Sequence, residues 1–329
     1  MSIGFENLSP DGILNAVETA MDLQLTGLTA PLPSYINRVY ELESVAGERL
    51  IAKFYRPGRW TAAALQDEHD FMTDCAADEI PVVCPLQLAN GETIAESDGI
   101  LFSVFPKRSG REMQLHSDEG WQRLGRLLGR IHLAGSRDTA PHRLRMHPET
   151  TTIPEVKQLL DGEFLSPHQA VRFKTITEKI IDVALAAFDG VELQRIHGDC
   201  HRANILECTN EELMVIDFDD MVTGPAVQDF WLLLPGHADQ VRYELDLMLD
   251  GYEQFLEFDD RTLRLVEILR AMRMIYFLSW CSTQVDDVRF QTTFPDWGSE
   301  MFWQREISDL ERQYQIILND SRLNLRERL

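Results

Sequence analysis

Two short apolar runs, each ending in polar residues, constrain this chain more than any other feature. The first leads through Ile196-His197-Gly198-Asp199-Cys200-His201-Arg202-Ala203-Asn204-Ile205-Leu206. The second, Met214-Val215-Ile216, ends in Asp217, thirteen residues after Asn204, and continues into Phe218-Asp219-Asp220. Short apolar runs bounded by turn residues read as buried strands. Gly198 permits a tight turn that projects Asp199. A lone His-Gly-Asp tripeptide fits any turn, and a lone Asp is commonly a cap or turn former. Asp, then Asn five residues on, then an apolar-flanked Asp is a far more demanding pattern.

That pattern supplies what phosphoryl transfer from ATP requires. A carboxylate must orient the proton of an attacking hydroxyl, and oxygen ligands must hold Mg²⁺ against the phosphates. Rigid elements must keep donor and acceptor in line. Asp199 is the candidate for the first role. Asn204, through its carbonyl oxygen, and Asp217, as the anion, are candidate metal ligands, because Mg²⁺ takes one or two carboxylates plus phosphate oxygens.

Upstream, a short helix is expected from Ile13 to about Leu23, then strands over Tyr35–Glu43 and Arg49–Tyr55 turned at Ala46-Gly47. Thr61–Ala77 reads as a helix with Thr61 as N-cap. Pro81–Leu88 and Ile100–Phe105 complete an antiparallel sheet with one packed helix. Beyond Pro106 the pattern turns helical. Leu124, Leu127, Leu128 and Ile131 stripe a helix over Ser117–Ala134, and Ser166-Pro167 opens another reaching Phe188. Further helices are expected over Ala226–Leu234, Val241–Phe255, Thr262–Thr283 and Glu300–Ile317. The expected class is therefore α+β and bilobal. Residues 1–105 form a small antiparallel-sheet N-lobe, residues 106–329 a larger, mainly helical C-lobe, and Phe105-Pro106 the hinge.

The N-lobe offers Lys53, mid-strand in Leu50-Ile51-Ala52-Lys53-Phe54-Tyr55, as the cation for ATP phosphates. Glu68 is its candidate helix partner and Asp67 a near competitor. A solvent-facing strand lysine is the plain alternative. No G-x-G-x-x-G precedes the second strand. Pro33-Ser34-Tyr35-Ile36-Asn37 stands there instead, so the Ser34 hydroxyl and the backbone near Asn37 would contact the phosphates, unless this is an ordinary capped turn.

Charge narrows the partners. With 31 Lys+Arg against 54 Asp+Glu, the formal net charge is −23, which repels nucleic-acid phosphates. The five cysteines are scattered and show no C-x-x-C spacing, which argues against a disulfide framework or a zinc site. Cys200, beside Asp199, is a candidate redox switch if His201 lowers its pKa. No signal-peptide pattern opens the chain, and no apolar stretch approaches about 18 residues. A cytoplasmic protein with no membrane partner is expected.

The HGDCHRANI and VIDFDD segments resemble the aminoglycoside phosphotransferase and choline kinase group of protein-kinase-like enzymes. SYINRVYE, IAKFYRPGRWT, DEHDF, VFPKRSGRE, GRLLGRIH, GPAVQDFW and LRAMRMIYFLSW narrow the resemblance to the bacterial stress response kinase A (YihE/RdoA) family, from about residue 8 to 305. The resemblance implies a bilobal Ser/Thr protein kinase using ATP and Mg²⁺, with Asp199 as base, Asn204 and Asp217 on the metal, and Ser34 at the nucleotide. It implies adenine contacts from the backbone of the hinge at Phe105, and Asp229 as a brace for the catalytic loop. A carboxylate favoured by its helix N-terminus is the alternative for Asp229. His201 departs from the Lys common in protein kinases, and Gly198 from the usual Arg. The expected acceptor is a protein Ser/Thr hydroxyl or a small hydroxyl compound (an amino alcohol, homoserine or aminoglycoside-like molecule), and the expected state is a monomer. A non-catalytic kinase-like scaffold is disfavoured by the presence of all four polar residues, Lys53, Asp199, Asn204 and Asp217.

Overall fold

The computed structural model describes residues 5 and 8–320, apart from 35, 116 and 209–212. A five-stranded antiparallel sheet, ordered β1-β2-β3-β5-β4, forms the smaller lobe. Its strands are β1 (Leu25–Leu32), β2 (Arg38–Ser44), β3 (Arg49–Phe54), β4 (Ala95–Ser97) and β5 (Ile100–Pro106). Tyr35, expected to open β2, lies outside the described residues. Helix α1 (Pro10–Met21), capped by Ser9, lays Ile13 and Val17 on the sheet. Side chains alternate along a strand. Leu50, Ala52 and Phe54 face that core, with Phe54 stacked on Phe102 at 4.9 Å. Lys53 is thereby turned to the opposite face, where it is buried.

Helix α2 (Ala62–Ala77) starts where Thr61 Oγ1 accepts from the Ala64 N–H. Its Phe71, Met72 and Cys75 belong to the larger core, shared with the helices that follow. The expected strand over Pro81–Leu88 does not form. Pro81 and Pro85 bring no N–H, and the segment makes a bridge from Val82 to Val215, a bond from Leu86 N to Val104 O and a local turn at Leu88 in place of a strand ladder.

The larger lobe is built on α3 (Asp118–Gly135), α4 (Thr152–Asp161), α5 (Pro167–Phe188), α6 (Val227–Trp231), α7 (Arg242–Tyr252), α8 (Val266–Ser282), α9 (Val288–Thr293) and α10 (Glu300–Asp320). Helices α3 and α7 touch backbone to backbone. A Cβ on Gly125 would stand 1.9 Å from the Met248 carbonyl oxygen, so only glycine fits. Between these helices and the sheet lie short strands: β6 (Arg111–Glu112), β7 (Gln194–Ile196), β8 (Ile205–Glu207), β9 (Leu213–Val215) and β10 (Val222–Gly224). They pair as β6-β8-β9 and β10-β7 and present their connecting loops to the interlobe cleft. The chain has the α+β, bilobal, protein-kinase-like architecture. Among the described residues, no helix is long and apolar enough to cross a membrane.

Candidate active site

β7 ends at Ile196, opposite Val222 of β10. The next residues turn sharply because Gly198 takes φ +82°, and a Cβ there would lie 2.2 Å from the Asp220 carbonyl oxygen. Asp229 fixes this turn from below, as the resemblance implied. Its carboxylate accepts from the backbone N–H of His197 and of Gly198, both at 2.9 Å. His132 Nε2 lies 3.0 Å from the same carboxylate, and its Nδ1 lies 3.2 Å from the Tyr252 hydroxyl. His132 is thus a hydrogen-bonded core residue. A 3-10 turn over Arg202–Asn204 follows. Asn204 Nδ2 donates to the Asp199 carbonyl at 3.0 Å, which leaves its amide oxygen as the available ligand atom.

β9 delivers Asp217, which adopts left-handed φ 62°, ψ 65° and opens a 3-10 turn over Phe218–Asp220. A non-glycine residue held in that region is strained and marks a position fixed by its surroundings. The Asp217 side chain is about half exposed, and its Oδ1 meets Lys53 Nζ at 2.8 Å. Lys53 also lies 3.3 Å from Asp219. Burial opposes the charge on Lys53. The carboxylates of Asp217, Asp219 and Glu68 outweigh it and keep the ammonium protonated.

Glu68 sits differently from the expected pairing. It is buried on α2, and its nearest ion-pair partner is Arg143, at 3.7 Å. Burial raises its carboxyl above the usual range despite Lys53 and Arg143. Lys53 is drawn instead to Asp217 and Asp219. Asp67, the competitor, accepts from His142 N at 2.7 Å. Asn37 is buried; its Oδ1 accepts from Arg56 N at 3.1 Å, and its side chain helps hold the Asp219 carboxyl low. Ser34 is half-buried in the turn before β2, and Phe105 is half-buried on β5 opposite Ile51.

Three residues of the site, Arg273, Arg59 and Arg143, carried no readable signal in the sequence as single positions. Arg273, on α8, donates from Nη2 to Asp199 Oδ1 at 2.7 Å. His201 Nε2 lies 3.5 Å from the other oxygen. Burial pushes the Asp199 carboxyl up, but the His201 hydrogen bond and the Arg273 charge outweigh it and bring it to about 2. Arg59 reaches Asp219 at 2.9 Å and Asp220 at 2.5 Å. Arg143 donates to the carbonyls of Asp219 and Met221 while its guanidinium lies 3.9 Å from the Trp60 ring centroid. The Asp219-Asp220 pair beside Asp217 was the visible clue, since adjacent carboxylates, of which Asp219 is buried, demand cations. Cys200 corrects the redox idea. It is fully buried, and burial drives its thiol well above the ordinary range, which makes it inert.

A cleft of about 1160 Å³ opens beside this centre, lined by Arg59, Gly198, Asp220 and Arg273 and walled by α4 and α8. Lysine, two loop carboxylates and an amide oxygen gathered between a sheet lobe and a helical lobe define a kinase-like phosphotransferase. Residues 29–266 match the model of the phosphotransferase enzyme family. Stress response kinase A of Shigella flexneri is 35% identical over 314 residues, covering 95% of this chain and 94% of that one. Serine/threonine protein kinase RdoA of Salmonella typhimurium is 34% identical over 316 residues, with the same coverage of 95% and 94%. The chain belongs to the phosphotransferase enzyme family, in its stress response kinase A branch. Among solved structures, amicoumacin kinase hAmiN, in complex with AMP-PNP, Ca²⁺ and Ami, shares the fold. Its TM-score is 0.71 at 19% identity, covering 94% of this chain and 93% of that one.

Proposed function

We propose that this phosphotransferase is an ATP- and Mg²⁺-dependent Ser/Thr protein kinase. Asp199 orients the acceptor hydroxyl and takes its proton, and Lys53 holds the nucleotide phosphates. Asn204 and Asp217 are the ligands for Mg²⁺, which when bound supplies positive charge against the phosphates. Ser34 and the backbone beside Asn37 cover the phosphates, Phe105 marks the adenine-reading hinge, and Glu68 backs Lys53. The observation that carries the reading is the 2.8 Å approach of Lys53 on the sheet to Asp217 on the loop, across the interlobe cleft. The residues fit a metal, since Asp217 already holds a cationic group and the Asn204 amide is oriented by its own hydrogen bond.

Two observations support a protein acceptor. The relatives at 34–35% identity carry protein-kinase or stress-kinase names. The cleft, at about 1160 Å³, exceeds the roughly 300–1,000 Å³ usual for small-molecule pockets. The test is transfer of labelled γ-phosphate from Mg²⁺–ATP by wild type and Asp199→Ala. One reaction receives a generic basic protein and the other a panel of small hydroxyl compounds. Acid-stable label on protein, absent with the variant, is the expected result. Label confined to the small compounds would replace the protein acceptor with a metabolite while keeping the residue roles.

A further inference from the structure

The cleft wall formed by α4 and α8 holds a carboxylate that the chemistry above does not use. Glu155, in the first turn of α4, lines the cleft, and its side chain makes no hydrogen bond or ion pair among the described residues. Of the other carboxylates bordering the cleft, Asp220 is committed to Arg59 and Asp287 to Arg56, and Asp286 stands exposed to solvent at the rim. Burial alone pushes the Glu155 carboxyl up to about 8.

The surrounding wall is short of donors. Gln158 spends its amide N–H groups on Ser279 O and Ser282 Oγ, at 3.1 and 2.8 Å. Gln284 donates to Thr283 Oγ1 at 2.9 Å. Two polar groups remain over: Gln284, 5% exposed, has no partner for its acceptor Oε1, and Thr152, fully buried, has none for its hydroxyl, which can accept as well as donate. Tyr276 and Trp280 add aromatic surface to the same cleft. A group with several donors, no acceptor and a positive charge satisfies such a wall, and ammonium and guanidinium groups are of that kind.

We propose that this wall is an acceptor subsite in which Glu155 receives a protonated nitrogen carried by the molecule being phosphorylated. The inference rests on the protein-kinase reading, under which the nitrogen belongs to a Lys or Arg near the target Ser or Thr. A half-buried carboxylate without a partner is costly to ionise, and an arriving cation offsets that cost by restoring its charge. The formal net charge of −23 draws basic segments toward the protein in the first place.

The direct test is calorimetric titration of wild type and Glu155→Gln with Nα-acetylated arginine amide and with Nα-acetylated citrulline amide, its uncharged isostere. Wild type should bind arginine amide about 10-fold more tightly, the usual scale for a charge-assisted hydrogen bond, and Glu155→Gln should lose the preference. Equal binding by wild type, or a preference that survives the substitution, overturns the subsite. Turnover separates the subsite from the reading beneath it, using Ser peptides with and without a basic residue and amino alcohols with and without the amine. A charge preference among peptides that Glu155→Gln abolishes, at unchanged KM for ATP, supports both. The same pattern in amino alcohols alone keeps the subsite and sinks the protein acceptor. Peptides phosphorylated without charge preference keep the protein acceptor and sink the subsite.

Discussion

Arg273 reaches from α8 to place its Nη2 2.7 Å from Asp199 Oδ1, so the proposed base is held by a cation from a distant helix. His201 stands where protein kinases commonly carry a lysine, and Arg273 brings positive charge to the same carboxylate from elsewhere. Asp199→Ala should cut kcat by about 10²–10⁴, the range for a lost general base. Arg273→Met should cost on the order of 10-fold in kcat with a smaller change in KM for ATP, because one charge-assisted bond is removed. Steady-state kinetics at saturating Mg²⁺ checks both.

The low pKa of Asp199 sets a stability window. Its folded value of about 2 lies below the ordinary 3.8. The contribution is therefore complete above pH 4 and is lost as pH falls from there toward 2. The shift corresponds to on the order of 2 kcal/mol. Urea unfolding of wild type and Asp199→Asn should show a gap that narrows from pH 5 to pH 3. A gap independent of pH would contradict the assignment.

Asp229 should matter as support. Asp229→Ala strands two backbone donors and His132 in a fully buried site. Each unsatisfied buried group costs about 1–3 kcal/mol, so a loss of roughly 3 kcal/mol or more is expected. Thermal unfolding measures it, and kcat should fall while the protein remains folded in the cold.

Gly198→Ala tests the turn itself. The new methyl would meet the Asp220 carbonyl oxygen at 2.2 Å and sit at positive φ. Displacing that backbone shifts the 218–220 turn beside Asp217. Strain of about 1–3 kcal/mol should appear in the unfolding midpoint, together with loss of phosphotransfer.

Removing metal ligands should raise the metal requirement before it destroys folding. Asp217→Asn and Asn204→Ala should each need at least about 10-fold more Mg²⁺ for half-maximal activity. Their circular dichroism should match wild type, and excess EDTA should abolish transfer in all three proteins.

The architecture was legible wherever local chemistry sufficed. Ser166 and Pro167 opened α5, and Thr61 capped α2, because caps act within a few residues. β1 went unread because Gly27 and Pro31 look like turn residues, and only its place at the sheet edge tolerates them. Helix α4 was hidden in a polar stretch, its Pro154 in the first turn where no N–H is needed. In the site, Asp199, Asn204 and Asp217 stood out because one loop region carries them. Arg273, Arg59 and Arg143 did not, since each meets its carboxylate or carbonyl only through tertiary packing. The ion pairs of Lys53 with Asp217 and Asp219 were hidden for the same reason. Alternation turned Lys53 toward the cleft, but the competing carboxylates came from the other lobe.

The bonds from Lys53 to Asp217 and Asp219 pair the cation proposed for the phosphates with the carboxylate proposed for the metal. On the proposed reading, loading is an ion exchange. The lysine passes from carboxylate to phosphate, and the carboxylate it leaves takes up the metal. Either newcomer alone strands a charge, so nucleotide and metal should each tighten the other's binding, a reciprocal coupling that follows from one swapped counterion.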